Sequence, residues 1–253
     1  MTTVQVIYKK EDKLIAGTAA QVVKELKAKG YKVGGQGAKF AVTLGGDGTT
    51  LRAARLLAKN GTPILSVHMG GVGFLTEIEL RQLSEALALI KRGKYKLDER
   101  TMIEAQTAGK TLIALNDLVI SKSGIARVIR LEIAGLAEYV ADGLIFSTAS
   151  GSTAYNLSAG GPILAPDAQS LVISAICPHS VSIRPLVIDR PVDVTLTRGK
   201  EVYLTADGQQ VIALSEGQKI RVQKSKLHAR FIRLKEYPFF ERVRATFGFG
   251  KRN

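Results

Sequence analysis

The chain is poor in cysteine, and its apolar residues are not gathered into any long run. Cys177 is the only cysteine among 253 residues, so no internal disulfide can form and nothing indicates an oxidising compartment. Its neighbours, Ile176 and Pro178, favour a buried small hydrophobic residue over a catalytic thiol. No stretch approaches the roughly 18 apolar residues of a membrane span, and the opening MTTVQVIYKK lacks the apolar core of a secretory signal. We therefore expect a cytoplasmic protein.

Three familiar motifs are also missing. Gly109-Lys110-Thr111 ends like a phosphate-binding P-loop, but Glu104 stands where that motif needs its first glycine. No G-x-G-x-x-G dinucleotide fingerprint follows a predicted strand. Ser150-Gly151-Ser152 is not the G-x-S-x-G of hydrolases, and with only three histidines in the chain a Ser–His–acid triad is disfavoured. Any nucleotide that binds here is held by a different arrangement.

Acidic residues are scarce: 22 Asp and Glu stand against 36 Lys and Arg, which gives a net charge of +14. Such a balance is compatible with nucleic acid, an anionic membrane or a phosphorylated small substrate. The basic residues are scattered, so a solvated basic face explains them at least as well as a nucleic-acid site does. Aromatic residues interleave with basic ones in 236–253, and we expect these rings to pack on a neighbouring domain instead of forming a platform for single-stranded nucleic acid.

Hydrophobic patterning divides the chain near residue 93. In 1–93, apolar runs alternate with helical patterns, which predicts βαβ units and a parallel sheet. In 94–234 the apolar runs are short and separated by turn signals, which predicts an all-β sandwich. Two separate strands are predicted at 220–222 and 231–234. The expected fold is therefore an α/β domain followed by an all-β domain.

The strongest local signal is the stretch Gly45-Gly46-Asp47-Gly48-Thr49, which lies between a predicted buried strand and a helix predicted over 49–59. The glycines allow a tight turn and the close approach of a ligand, and the amino end of the helix favours phosphate. A carboxylate repels phosphate, so Asp47 suggests a hydroxyl to orient, a proton to accept or a metal to hold. The alternative is a simple turn in which Asp47 caps the helix.

Two further polar stretches carry candidate ligands. Residues 142–155 run from a predicted strand into a turn rich in Ser and Thr, whose hydroxyl and N–H groups suit a polar ligand. Tyr155 is suited to stack on a base or to bond a ribose. Asn116-Asp117 and Asp207-Gly208-Gln209, each taken alone, are more typical of ordinary turns.

The order of these motifs resembles the NAD kinase family over nearly the whole chain. The matching stretches are Gly-Gly-Asp-Gly-Thr at 45–49, Asn-Asp at 116–117, Asp-Gly-Leu-Ile at 142–145, Gly-Ser-Thr-Ala-Tyr at 151–155, Gly-Gly-Pro-Ile at 160–163, Ile-Cys-Pro-His-Ser at 176–180 and Asp-Gly-Gln at 207–209. The resemblance implies a Rossmann-like domain over 1–93, a β-sandwich domain over 94–234 and a site in the cleft between them. It also implies a tail, 235–253, that returns to the first domain, and a homodimer or homotetramer.

The resemblance assigns roles to individual residues. Asp47 matches the general base, and the phosphate or ATP contacts fall on Gly45, Gly46, Gly48, Thr49 and Arg52. The NAD contacts fall on Asp47, Gly48, Phe74, Asn116, Asp117, Arg127, Asp142, Ser150, Thr153, Ala154, Tyr155, Ser158 and Gln209. No metal ligand is assigned.

Two departures from the family pattern affect the expected affinity. Asp117 stands where the family more often has Glu, and Ala149 and Ser150 replace a Pro and a Thr. Ala149 loses the fixed φ angle of proline, so a looser turn is expected. We expect altered affinity and retained function.

The activity implied by the resemblance is Mg²⁺-dependent transfer of a phosphoryl group from ATP to the adenosine 2′-hydroxyl of NAD. The alternatives are a lipid kinase of the diacylglycerol type, which shares the glycine loop, and a dinucleotide sensor that binds without turnover. A basic nucleic-acid-binding protein is the third alternative.

Overall fold

The computed structural model describes residues 1–71, 73–124 and 128–249. The chain divides into two compact units, of which the first comprises Met1–Glu99 and Ala229–Asn253 and the second Arg100–His228. The boundary predicted between residues 93 and 94 lies a few residues before Glu99. Each unit has its own hydrophobic core.

The elements, in chain order, are as follows. The helices are α1 Lys13–Ala28, α2 Asp47–Leu57, α3 Leu83–Lys91, α4 Tyr155–Ser158 and α5 Phe239–Phe247. The strands are β1 Thr3–Tyr8, β2 Lys32–Val33, β3 Phe40–Leu44, β4 Ile64–His68, β5 Ile78–Glu79, β6 Lys96–Thr107, β7 Lys110–Ala114, β8 Asp117–Lys122, β9 Ile129–Ile133, β10 Ala137–Ala141, β11 Gly143–Ser147, β12 Leu171–Ile176, β13 Leu186–Ile188, β14 Val192–Arg198, β15 Val202–Ala206, β16 Gln210–Leu214 and β17 Lys219–Arg233. None of the helices in the described ranges is long and apolar enough to cross a membrane.

The first unit is built on the predicted parallel sheet, in the order β2-β1-β3-β4, with β5 also paired to β4. The end of β17 adds a parallel strand, since Phe231 pairs with Ile64. All five residues of β3 are buried. A strand whose residues do not alternate between buried and exposed is typical of a parallel sheet that is covered on both faces. This explains the continuous apolar run at 40–44.

The helix α1 shows how sequence and packing agree in this unit. The Asp12 side chain caps its start, accepting the backbone N–H groups of Leu14 and Ile15 at 3.1 Å each. The chain turns away at Gly30, whose φ angle of 84° favours glycine. The apolar positions at helical spacing are the buried ones, namely Ala19, Val22 and Leu26.

The second unit is a β-sandwich. One antiparallel sheet has the order β13-β12-β11-β8-β15-β16. The other contains β10-β9-β14 and the first part of β17, with β6 paired to β17 and β7. Residues of both sheets share one core; Leu118 and Phe146 of the first sheet and Leu131 and Val194 of the second are almost fully buried. This is the sheet-on-sheet packing expected of an all-β domain.

Three local predictions differ from the structure. The strands predicted at 220–222 and 231–234 are one strand, because Ser225 and Ala229 are buried and continue the pleat through a polar stretch. The second helix begins at Asp47, two residues earlier than predicted. The prediction that Cys177 is buried is wrong: its φ angle of 44°, just after β12 ends, turns the chain and leaves this residue exposed.

Candidate active site

The glycine loop lies at the carboxyl edge of the parallel sheet, immediately after β3. Gly45 has a φ angle of 147°, and a Cβ atom added there would lie 2.5 Å from the Thr49 Oγ1 atom. Its N–H donates to the Val67 carbonyl at 3.1 Å, which ties the loop to the end of β4. The amino end of α2 follows directly, so the loop combines a close backbone approach with a positive helix end.

Asp47 is not the helix cap. The cap residue is Gly46, and Asp47 lies in the first turn of α2. Its carboxylate accepts the backbone N–H groups of Phe74 at 3.0 Å and Leu75 at 3.2 Å. A Cβ atom at Gly73 would lie 2.2 Å from the Asp47 Oδ1 atom, so only glycine leaves room for this carboxylate. The alternative in which Asp47 merely caps the helix is therefore wrong.

Burial raises the pKa of the Asp47 carboxyl, as the largest effect on it. The Leu75 and Phe74 N–H groups and the guanidinium groups of Arg242 and Arg233 act in the opposite direction. The net pKa is above the ordinary value. A carboxylate whose pKa is raised is a better proton acceptor than an exposed one.

Arg52, the predicted phosphate contact, donates from its Nη2 atom to the Tyr8 carbonyl at 2.6 Å. The parallel register of β1 and β3 pairs Tyr8 with Leu44, so Arg52 is anchored at the same edge as the glycine loop. The guanidinium has further N–H groups beyond the one used here. Its contact with phosphate stays a prediction.

In the second unit, three motifs of the sequence meet at one end of the six-stranded sheet. The register of β8 and β11 pairs Asp117 with Ser147, and that of β8 and β15 pairs Leu118 with Ala206. The Asn-Asp pair, the hydroxyl-rich turn and the Asp-Gly-Gln turn are therefore neighbours. Motifs that look like separate turns in the sequence form one polar cluster.

Asp207 holds this cluster together, although the sequence analysis assigned no role to its side chain. Its carboxylate accepts the backbone N–H groups of Leu115 at 3.1 Å, Asn116 at 2.7 Å and Asp117 at 3.3 Å. Hydrogen bonds to an ionised acceptor are the stronger kind, so Asp207 fixes the segment that carries the two candidate ligands. The sequence indicated the turn and the Asn-Asp pair but not the contact between their segments, which joins residues as far as 92 positions apart.

Asp117 and Asn116 have the properties of groups that meet a polar ligand. Burial first, and the charge of Asp207 second, raise the pKa of Asp117 to about 7. The Oδ1 atom of Asn116 is buried and has no hydrogen-bond partner within the described part of the chain. A buried polar atom without a partner is costly and is frequently explained by a ligand or an ordered water.

Two hydroxyls of the turn donate to backbone carbonyls, one in the segment before β8 and one within the turn itself. Thr148 Oγ1 donates to the Leu115 carbonyl at 2.6 Å, and Ser152 Oγ donates to the Ala149 carbonyl at 2.7 Å. A Cβ atom at Gly151 would lie 2.1 Å from the Asn116 carbonyl oxygen, so this glycine allows the two segments to touch. These contacts restrain the turn at the position where the fixed φ angle of proline is missing.

The other predicted ligands lie at or near the same turn. The Ser150 hydroxyl accepts from the buried Arg100 at 3.4 Å, a partner that the sequence did not indicate. Thr153 Oγ1 donates to the Ser150 carbonyl at 3.5 Å. Ala154 lies just before the short helix α4, and the half-exposed Tyr155 and the exposed Ser158 are its first and last residues. The exposed Gln209 lies in the turn between β15 and β16.

One predicted NAD ligand of the second unit, Asp142, lies away from this cluster. Asp142 precedes β11, whereas the cluster follows it, so strand geometry separates Asp142 from Ser147 by about 17 Å. Asp142 instead lines a cavity of about 670 Å³ together with Lys122 and His179. Arg127 lies outside the described residues. The NAD-binding roles of both stay predictions.

A glycine loop that presents a carboxylate at a helix amino end, in a chain with a separate polar cluster, is typical of a nucleotide-binding phosphotransferase. Residues 4–95 match the ATP-NAD kinase N-terminal domain, and residues 115–234 match the ATP-NAD kinase C-terminal domain. The chain therefore belongs to the NAD kinase family, as the order of its motifs predicted.

Relatives and solved structures agree with this assignment. The chain is 45% identical over 218 residues to the NAD kinase of Moorella thermoacetica, covering 82% of this chain and 70% of the relative. It is 42% identical over 226 residues to that of Acidobacterium capsulatum, covering 85% and 79%. An NAD kinase from Archaeoglobus fulgidus in complex with ATP superposes with a TM-score of 0.76 at 25% identity, covering 98% of each chain. Yeast NADH kinase complexed with NADH gives 0.89 at 20% identity, covering 100% and 89%, which concerns the fold alone. The predicted two-domain NAD kinase fold is confirmed.

Proposed function

We propose that this NAD kinase transfers the terminal phosphoryl group of ATP to the adenosine 2′-hydroxyl of NAD, with Asp47 receiving the proton of that hydroxyl. The observation that carries the proposal is the position of Asp47. Its half-buried carboxylate lies at the amino end of α2, beside a loop suited to phosphate, and its pKa is raised. A site that only binds phosphate has no use for such a group.

In the proposed step, the 2′-oxygen of NAD forms a bond to the terminal phosphorus atom as the bond from that phosphorus to the bridging oxygen breaks. The electron pair of the broken bond leaves with ADP, and the hydroxyl proton moves to the Asp47 carboxylate. Phosphoryl transfer depends mainly on positioning and charge neutralisation. Asp47 therefore orients the hydroxyl first and accepts its proton late in the reaction.

Mg²⁺ enters this proposal as part of the MgATP substrate. Within residues 1–71, 73–124 and 128–249, no group of three or more His, Cys, Asp or Glu side chains is placed to hold a metal ion. Magnesium in kinase sites is held largely by substrate phosphates and waters, with few protein carboxylates. The residues present fit a metal that arrives with ATP, whose role is to neutralise phosphate charge.

The polar cluster of the second unit is the proposed site for the adenosine part of NAD. The orphaned Asn116 Oδ1 atom accepts an N–H group of the ligand, and the Asp117 carboxyl bonds a ribose hydroxyl. Tyr155, which is half exposed at the start of α4, offers a ring face for stacking. The complexes of relatives with ATP and with NADH support nucleotide ligands for this fold.

The proposal also covers the location, the oligomeric state and the partners of the enzyme. We infer a cytoplasmic homodimer or homotetramer that binds neither nucleic acid nor membrane. Family membership favours NAD kinase activity over a diacylglycerol-type lipid kinase and over a sensor without turnover. The scattered positive charge then suits two substrates that both carry phosphates.

The test is an assay of NADP formation from NAD, ATP and Mg²⁺, followed with an NADP-specific dehydrogenase. Parallel reactions omit ATP, replace it with polyphosphate, or use the Asp47→Asn variant. We expect ATP-dependent NADP formation, and a far larger loss of kcat than of NAD affinity in the variant. Unchanged turnover of Asp47→Asn would show that Asp47 is not the proton acceptor. A folded protein that binds NAD but makes no NADP would support the alternative of a dinucleotide sensor without turnover.

A further inference from the structure

The helix α5 contacts the segment Gly73–Thr76 through side chains that donate to its carbonyls. Arg242 donates from Nη1 to the Gly73 carbonyl and from Nη2 to the Thr76 carbonyl at 2.9 Å. Tyr237, just before the helix, donates its hydroxyl to the Phe74 carbonyl at 2.7 Å. Three of the four carbonyls in this short segment are therefore held by residues of the C-terminal tail.

The same segment holds Asp47 from its other side. The N–H groups of Phe74 and Leu75 donate to the two carboxylate oxygens of Asp47, and Gly73 leaves the space in which the carboxylate lies. The segment is thus fixed between the tail, which binds its carbonyls, and Asp47, which binds its N–H groups. Any shift of the carbonyls moves the two N–H groups that fix the carboxylate.

The aromatic rings and charges of the tail reinforce this arrangement. The Phe74 ring stacks on Phe247 of α5, with ring centroids 5.7 Å apart and planes 20° from parallel. The Arg242 guanidinium lies 4.9 Å from the centre of the Tyr237 ring. Helix α5 therefore contacts the segment in its first half through Arg242 and at its end through Phe247.

From this geometry we propose that Arg242 is a positioning residue for the reaction, acting through the Gly73–Thr76 segment to fix the orientation of the Asp47 carboxylate. Tyr237 assists by fixing the Phe74 carbonyl. The proposal rests on the proposed role of Asp47 and deepens it. A lysine at position 242 could keep the charge but not the planar pair of N–H donors that reaches both carbonyls.

The charges around Asp47 provide a second, independent argument for a role of Arg242. Arg242 and Arg233 both lower the pKa of Asp47 against the raising effect of burial, while Glu77 and Tyr237 are the other titratable groups that face Arg242. Removing the Arg242 cation raises the pKa of Asp47 further, so the acid limb of the kcat profile moves to higher pH. Arg242→Lys keeps a cation and leaves that limb nearly in place.

The experiment compares Arg242→Met, Arg242→Lys and the matched control Arg244→Met in the full-length enzyme. Arg244 lies on the same helix and is exposed. Because a misplacement of about 1 Å near the chemistry costs on the order of 100-fold, we expect kcat of Arg242→Met to fall roughly 10- to 100-fold. The KM for NAD should rise by a smaller factor than kcat falls, since the segment carries Phe74 as its one predicted NAD contact and the polar cluster of the second unit is unchanged. The control should match the wild type.

A double-mutant cycle with Asp47→Asn separates positioning from a general loss of structure. If Arg242 acts through Asp47, Arg242→Met has little further effect on the residual kcat of Asp47→Asn. Equal fold-losses in both backgrounds, or a kcat of Arg242→Met within twofold of wild type, would overturn the proposal. Full activity of Asp47→Asn alone would instead refute the role of Asp47, so the two failures are distinguishable. Near-ultraviolet circular dichroism of each variant checks that the fold is retained.

Discussion

Asp117 makes the stability of this enzyme depend on pH in a direction that can be worked out from its surroundings. Its side chain is buried at the start of β8, and the Asp207 carboxylate lies close by. Burial, and then the charge of Asp207, raise its pKa from 3.8 to about 7. At 1.36 kcal/mol per pKa unit, a rise of about three units corresponds to roughly 4 kcal/mol.

The direction of this pH dependence follows from proton binding to Asp117 in the folded and the unfolded chain. Between pH 4 and 7 the folded chain keeps a proton on Asp117 that the unfolded chain has lost. The contribution of this group to stability is therefore full below about pH 4, and it is lost as pH rises through about 7. Asp117→Asn removes the titration. The unfolding free energy of the variant, relative to wild type, should thus increase by roughly 4 kcal/mol between pH 4 and pH 8.

Two measurements test this reasoning. In protein labelled with ¹³C at the aspartate carboxyl carbons, one resonance should titrate near pH 7 and should be missing from Asp117→Asn. Urea unfolding of both proteins across the same pH range gives the difference in stability. If no aspartate titrates above pH 6, or if the difference in stability is the same at every pH, the assignment of a buried, neutral Asp117 is refuted.

Two further substitutions test contacts that the structure makes specific. Gly151→Ala should lower the unfolding free energy by roughly 1–3 kcal/mol and raise the KM for NAD more than it lowers kcat, because its Cβ atom would lie 2.1 Å from the Asn116 carbonyl oxygen. Arg233→Met leaves the buried Glu77 without its partner at 2.9 Å and should cost roughly 3–5 kcal/mol in urea unfolding. Arg230→Met, which breaks an exposed pair on the same strand, should cost less than about 1 kcal/mol; equal losses would contradict the argument from burial.

The fold and the glycine loop could be predicted from the sequence because their signals are local. The buried strand at 40–44, the glycines after it and the following helix are contiguous, and the period of the apolar residues distinguishes the two units. Cys177 shows the limit of such reasoning. Its apolar neighbours favour burial, but the left-handed backbone after β12 decides which way the residue points.

The hydrogen bonds that orient the site residues could not be predicted, because they join residues that are distant along the chain. Arg242 bonds a carbonyl 169 residues earlier, and Asp207 bonds N–H groups about 90 residues earlier. Nothing in the sequence around Gly73 indicates that its missing side chain accommodates Asp47. Candidate ligands carry recognisable motifs, whereas the groups that orient them are recognised only once the chain is folded.

The half-buried Asp47 and the buried Asp117 should have separate effects on the kinetics. At Asp47 the raising effect of burial is opposed by two N–H groups and two guanidinium groups, whereas at Asp117 burial and a like charge act together. Asp47 should therefore ionise at lower pH than Asp117. The acid limb of kcat then belongs to Asp47. The KM for NAD should fall as pH rises through about 7, because an ionised Asp117 is a stronger acceptor for a ribose hydroxyl. Asp117→Asn should abolish the change in KM and preserve the kcat limb; loss of the kcat limb instead would reverse the two assignments.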